Sequence, residues 1–224
     1  MSDGKRTVAV AGGTGLVGTR LVARLLARDD VDRVVAVVRR PPATGHAKLD
    51  ARVVESFARD ELDDALPKDL DDAYCALGTT MKKAGSRDAF RAVDHDAIVA
   101  FANAARAKGA RRFLLVSSIG ADPRSMTFYL RVKGETEDDV RAIGFDALHA
   151  MRPSFLAGER KDARAGERIG LAISGVLKPL LGRYGPIDAD LVARAMVALA
   201  FSDRFGAFVH DTRAIEKLAA DQRR

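Results

Sequence analysis

Tyr129 and Lys133, in the run Tyr129-Leu130-Arg131-Val132-Lys133, are the pair of side chains most able to do chemistry together. On a helix, a spacing of four residues stacks both on one face. The ammonium can then lower a phenol pKa from its usual value of about 10, which makes the tyrosine a usable acid near neutrality. The same ammonium can hydrogen-bond a sugar hydroxyl. Ser118 lies eleven residues before Tyr129, preceded by Ser117, at the end of the apolar run Arg112–Val116. A serine there can orient and polarise a carbonyl; the sequence leaves Ser117 open as the alternative to Ser118, and Ser117 is also a candidate cofactor contact. A solvated pair on a helix surface would show the same Tyr-x-x-x-Lys spacing. The order strand, serine, helix favours the reactive reading.

A second constellation opens the chain. Val8 through Gly18 reads VAVAGGTGLVG, a G-x-x-G-x-x-G pattern directly after a strand-like run and at the start of a helical one. Glycines in that setting permit a tight turn, let backbone N–H groups approach a pyrophosphate and let helix and strand pack closely. The helix N-terminus adds free donors and a favourable dipole. Gly12, Thr14, Gly15, Leu16, Val17 and Gly18 are therefore the candidate dinucleotide cradle. A site for NAD places an acidic residue at the end of the second strand, for the ribose 2′-hydroxyl. Here Arg39 and Arg40 stand at that end, whereas Asp32 lies at the opposite one. A guanidinium binds a 2′-phosphate that a carboxylate would repel. The expectation is NADP(H) over NAD(H), with Arg39 the stronger contact.

These groups need an alternating scaffold to hold them. Strands are expected at Thr7–Ala11, Arg33–Val38, near Arg52–Glu55, at Ala73–Leu77, Arg112–Val116, Phe145–Met151 and Phe208–His210. Helical patterns fall between them, at 15–27, 59–72, 86–108, 128–142, about 188–202 and at the C-terminus. Alternation of this kind means an α/β fold with a doubly wound parallel sheet, the NAD(P)-binding Rossmann arrangement. After Pro153 the alternation weakens. The chain is read as one domain, with residues 1–153 as dinucleotide-binding core and 154–224 as a small, less regular substrate and capping region.

Composition narrows the partners. The 224 residues fit one α/β domain, and 47% hydrophobic with 30% charged residues is ordinary for a globular chain. Tryptophan is absent and the net charge of +6 is scattered, so no nucleic-acid partner is expected. The apolar stretches Ile169–Leu181 and Leu191–Phe201 are broken by Lys178 and Arg194, which argues against a membrane span. The first of them reads better as a pocket wall or subunit contact, compatible with a monomer or homodimer. One cysteine, Cys75, and an N-terminus without an apolar leader pattern give the expectation of a cytoplasmic location. Four scattered histidines offer no ligand spacing, and Asp94-His95-Asp96 is set aside because neighbouring helical residues diverge.

A family resemblance joins these pieces. Cys75-Ala76-Leu77-Gly78-Thr79-Thr80, Lys83-Ala84-Gly85, Phe90, Val93-Asp94, the run Val116 to Asp122, Phe128 to Glu135 and Arg152-Pro153 resemble the Tat-interacting-protein group of atypical short-chain dehydrogenases. The resemblance covers roughly residues 7–165 and is most specific over 75–153. It implies an NADPH-bound Rossmann fold with Tyr129 as proton donor and Lys133 as its partner. It further implies that Leu77, Gly78 and Thr79 line the cofactor and that Leu156 and Arg164 close over the nicotinamide side. The asparagine that completes the dehydrogenase tetrad has no assigned position, Asn103 included. The expected function is an NADPH-dependent oxidoreductase acting on a carbonyl or alcohol of a small molecule. A non-catalytic NADPH sensor on the same fold is the alternative. A sugar-nucleotide epimerase or dehydratase is the third option, disfavoured by the small 154–224 region.

Overall fold

The computed structural model describes residues 4–42, 45–157 and 185–221. Its centre is a seven-stranded sheet made of β1 (Arg6–Ala11), β2 (Val31–Val38), β3 (Leu49–Val53), β4 (Asp72–Cys75), β5 (Arg112–Val116), β6 (Ala147–Arg152) and β9 (Gly206–Asp211). All neighbours run parallel, in the order β3-β2-β1-β4-β5-β6-β9. The order reverses between β1 and β4. That reversal is where open α/β sheets leave a crevice beyond the strand carboxyl ends. A separate two-stranded sheet pairs β7 (Leu156–Ala157) with β8 (Ile187–Asp188).

Both faces are covered, so the central strands read as unbroken apolar runs; Val34 to Val38 of β2 are all buried. On one face lie α1 (Leu16–Leu26), α7 (Ala189–Ala200) and α8 (Thr212–Asp221). Leu21, Leu25, Val192, Met196 and Ile215 pack there against Val8, Val10, Leu114 and Met151. The other face carries α2 (Arg59–Ala65), α5 (Ala97–Ala107) and α6 (Phe128–Ala142). Leu62, Ile98, Phe101 and Val140 cover Ala9, Val35, Phe113 and Leu115.

Four expectations shift, each for a local reason. β3 begins at Leu49, earlier than the 52–55 expected, because register with Val34–Val38 of β2 selects the segment. As an edge strand with three exposed residues it carries little apolar signal. The helix expected over 59–72 stops at Ala65, because Leu66 precedes Pro67 and adopts φ −94°, ψ 135°. The segment expected as one helix over 86–108 contains α4 (Arg87–Arg91), a π-helical turn (Ala92–Asp96) and α5. A short α3 (Met81–Ala84), capped by the Thr80 side chain, was not anticipated.

Candidate functional site

The glycine loop forms the floor of the crevice. Gly12 has φ +81°, and a Cβ there would lie 2.6 Å from the Ala76 carbonyl, so only glycine admits both the turn and the close approach of β4. Gly18, one turn into α1, sits so close to the loop that its Cβ would stand 2.1 Å from Gly12 O. Gly15 is the N-cap of α1, with no side-chain cap and no acidic residue in the first turn. The helix start therefore keeps N–H donors for an anion. Val17 and Gly18 are buried; Leu16 packs partly on the core beneath the loop.

A cleft of about 460 Å³ runs above this loop, lined by Gly12, Thr14, Gly15, Arg39, Arg40, Leu77 and Gly78 together with Val38, Phe57, Ala76 and Lys83. Seven positions expected from the sequence thus meet at one place. Val38, Phe57 and Leu77 supply the apolar walls that a flat base requires. Arg39 and Arg40 stand exposed at its rim, and Lys83 joins them from α3. Lys83 carried no site role in the sequence reading, because nothing in its neighbours signals that α3 folds towards the end of β2. The residues present fit a dinucleotide: a backbone cradle for pyrophosphate, an apolar slot and a cationic rim.

The Tyr129 and Lys133 pair lies on α6, whose Tyr129 ring sits 5.4 Å from that of Phe90 on α4. Lys133 is buried, and its Nζ stands 2.7 Å from Asp94 Oδ1. Asp94 Oδ2 accepts the Thr79 N–H at 2.7 Å, and its backbone carbonyl accepts the Thr136 hydroxyl at 2.9 Å. A Cβ at Gly78 would lie 3.8 Å from Lys133 Nζ, so the ammonium sits directly under a residue that lines the cleft. Burial pushes the Lys133 ammonium down, but the carboxylate of Asp94 and the nearby Tyr129 outweigh it and hold the pKa above the ordinary value. Burial pushes the neighbouring Cys75 thiol up to about 12, so it is protonated and unreactive.

Asp94 was passed over in the sequence because residues 94 and 95 of an α-helix diverge. In the π-helical turn Asp94 and His95 are both buried, with His95 Nε2 2.8 Å from Asp139 Oδ2 on α6. Asn103, left unassigned, is exposed on α5 and donates to Val99 O.

The two serines separate by environment. Ser117 is buried and its hydroxyl donates to Glu137, a buried carboxylate on α6. Arg152 holds the same carboxylate with Nη2 donating to Oε2 at 2.7 Å and Nε shared between Oε1 at 3.0 Å and Oε2 at 3.2 Å. Ser117, Glu137 and Arg152 thus bolt α6 to the ends of β5 and β6. Ser118 is half-buried, and its hydroxyl makes only a 3.4 Å contact to Ile119 O. Of the two, Ser118 keeps its hydroxyl available. Leu156 lies on β7, paired with Ile187, outside the cleft lining. Arg164 and the apolar stretch at 169–181 lie outside the described residues.

A family profile described as NAD(P)H-binding matches residues 12–203. Among curated relatives, "Protein FMP52, mitochondrial" of Coccidioides immitis is 36% identical over 209 residues, 86% of this chain and 84% of its own. The protein of the same name from Candida albicans is 32% identical over 197 residues, covering 85% and 86%. A short-chain dehydrogenase/reductase superfamily protein from Agrobacterium tumefaciens, solved with bound NAD, superposes with a TM-score of 0.70 at 17% identity, over 92% of this chain and 77% of that one. MoeE5, solved with UDP-glucuronic acid and NAD, superposes equally well, at 0.70 and 21% identity, over 92% and 76%. The fold is that of the NAD-binding short-chain dehydrogenases. The cytoplasmic expectation does not stand, since the named relatives are mitochondrial. A lone reduced cysteine, on which that expectation leaned, fits any reducing compartment and so cannot choose between them.

Proposed function

Because this chain belongs to the NAD(P)H-binding family and is a relative of the FMP52 proteins, we propose that it is an NADPH-dependent oxidoreductase acting on the carbonyl or alcohol of a small molecule. The observation that carries the reading is the placement of the Lys133 ammonium under Gly78, at the wall of the glycine-loop cleft and one helical turn from Tyr129. Selection of NADPH rests on Arg39, Arg40 and Lys83, three exposed cations around a cleft with no acidic residue among the described residues that line it. A 2′-phosphate finds charge and donors there.

The dinucleotide, when bound, supplies a hydride to the carbonyl carbon. Tyr129 gives its phenolic proton to the carbonyl oxygen as negative charge develops there. Lys133 stabilises the resulting phenolate electrostatically and presents donors to a ribose hydroxyl. The Ser118 hydroxyl donates to the same carbonyl oxygen and orients it. In the alcohol-oxidising direction each proton moves the opposite way.

The test begins with purified full-length chain titrated with NADPH and NADH, followed by a carbonyl screen of wild type against Tyr129→Phe. We expect NADPH to bind the more tightly, and the loss of the phenol to lower turnover by about 10²–10⁴-fold with NADPH affinity kept. Failure to bind either nucleotide would sink the reading. Binding without turnover on any carbonyl would instead assign the chain to a sensing role.

A further inference from the structure

We propose that Asp94 is a positioning residue that acts through Lys133, fixing the ammonium under the cofactor-lining loop and locking that loop to helix α6. Its consequence for turnover rests on the oxidoreductase reading above, but its physical core does not.

Asp94 is fully buried, and a buried carboxylate is expensive unless it is paired and hydrogen-bonded. For stability alone, a well-packed apolar pair would serve as well as an ion pair at this depth. An apolar pair could not grip two walls of a cleft at once. One carboxylate here does so: Oδ2 takes the Thr79 N–H from the loop after β4, while Oδ1 pairs as an ion with Lys133 Nζ at 2.7 Å and has no hydrogen-bond partner among the described residues. The Asp94 carbonyl adds the Thr136 hydroxyl, one turn further along α6.

The backbone is also shaped for this. Asp94 and His95 are neighbours in the chain, and both are buried. The π-helical turn Ala92–Asp96 turns both inwards, Asp94 onto Lys133 and His95 onto Asp139. Such turns occur mostly as single insertions, often at functional sites. The groups facing Lys133 are Asp94 from the π-helical turn, Tyr129 from its own helix and Cys75 from β4. With its pKa up at about 12, the Cys75 thiol is uncharged at neutral pH. Asp94 is the carboxylate in this set and stands 2.7 Å from the ammonium, so it decides where the ammonium points. An ammonium with a free rotor could point its donors elsewhere; this one is held at 2.7 Å from a carboxylate that is itself anchored to the cleft wall.

Asp94→Asn tests this, because it keeps the shape and leaves an oxygen to accept the Thr79 N–H while removing the charge. Without nucleotide, a proton–nitrogen correlation spectrum of the wild type at neutral pH should show a slowly exchanging Lys133 ammonium, assigned with Lys133→Arg. Asp94→Asn should abolish that signal and weaken NADPH binding by about tenfold, the loss of one charge-assisted bond. In a Lys133→Met background the same substitution should add no further loss. An ammonium signal that survives Asp94→Asn, or losses that add in the double variant, would overturn the proposal. Should Asp94→Asn fail to fold, the wild-type ammonium decides. Titration of Lys133 at or below the pH at which exposed lysines titrate overturns the idea, and retention of its proton to higher pH upholds it. The spectrum needs no nucleotide, so a wild type that binds neither NADPH nor NADH sinks the oxidoreductase reading and leaves this test intact.

Discussion

Removal of the cationic rim gives the most direct check on nucleotide choice. NADPH differs from NADH by a 2′-phosphate carrying about −1.5 to −2 charges at neutral pH. Arg39 and Arg40, at the end of β2, and Lys83, on α3, are the cations among the described residues that line the cleft, and all three are exposed. Exposure places each contact at the low end of charge-assisted bonds, about 1.5 kcal/mol, or roughly tenfold in Kd. Arg39→Ala should therefore weaken NADPH binding by about tenfold, and Arg39→Ala with Lys83→Ala by about a hundredfold if the two act independently. NADH binding, which lacks the phosphate, should stay within about twofold. Raising ionic strength should mimic the substitutions for NADPH alone, because exposed charges are screened over about 8–10 Å at moderate salt. Nicotinamide fluorescence titrations at two salt concentrations read all of this on the folded chain. Equal losses for the two nucleotides, or a wild type that prefers NADH, would refute the assignment of the rim to a 2′-phosphate.

Two further outcomes follow from packing and burial. Gly18→Ala would set a methyl 2.1 Å from Gly12 O, so α1 must move off the loop; thermal melts should show a loss of about 1–3 kcal/mol, and titration a loss of nucleotide binding, neither of which the control Gly45→Ala, in open space at an ordinary φ, should share. His149 is fully buried on β6, 3.0 Å from His210, and burial, then the His210 charge, hold its pKa down to about 4. An unfolded histidine protonates near 6.5, so between pH 6.5 and 4 the unfolded chain takes up a proton that the folded chain refuses. Stability should be full above pH 6.5 and fall by up to about 3 kcal/mol as pH drops to 4; a denaturation series in which His149→Leu keeps the wild-type slope would count against this. The paired carboxylates Asp50 and Asp190, held low by Arg33 and Arg24 against burial that opposes both, lose their contribution only below that window.

Local chemistry was readable along the chain. The strand–glycine–helix start, the arginines closing β2, and the Tyr129 and Lys133 spacing obey rules that operate within a few residues, and the folded chain retains them. β5 and α6 begin and end where the sequence pattern puts them, Arg112–Val116 and Phe128–Ala142, since apolar alternation, a following turn and Gly144 are all local signals. Pro67 was equally legible in principle; its steric veto on Leu66 was outweighed by the leucine spacing that continues to Leu70, both of which are buried without helix.

What tertiary structure decided lies in contacts between distant segments. Lys83 reaches the cleft of Arg39 because the β1–β4 crossover brings α3 over it. Arg152 and Ser117 meet on Glu137 because β5 and β6 are neighbours in the sheet. Asp94 reaches Lys133 across 39 residues through a helical turn whose pitch no sequence periodicity announces. The sequence by itself picked out seven of the residues that meet at the glycine-loop cleft, because residue type and short spacing suffice for that. Packing alone chose the carboxylate that holds the lysine, because a buried charge finds its partner only when two elements close on each other and exclude water.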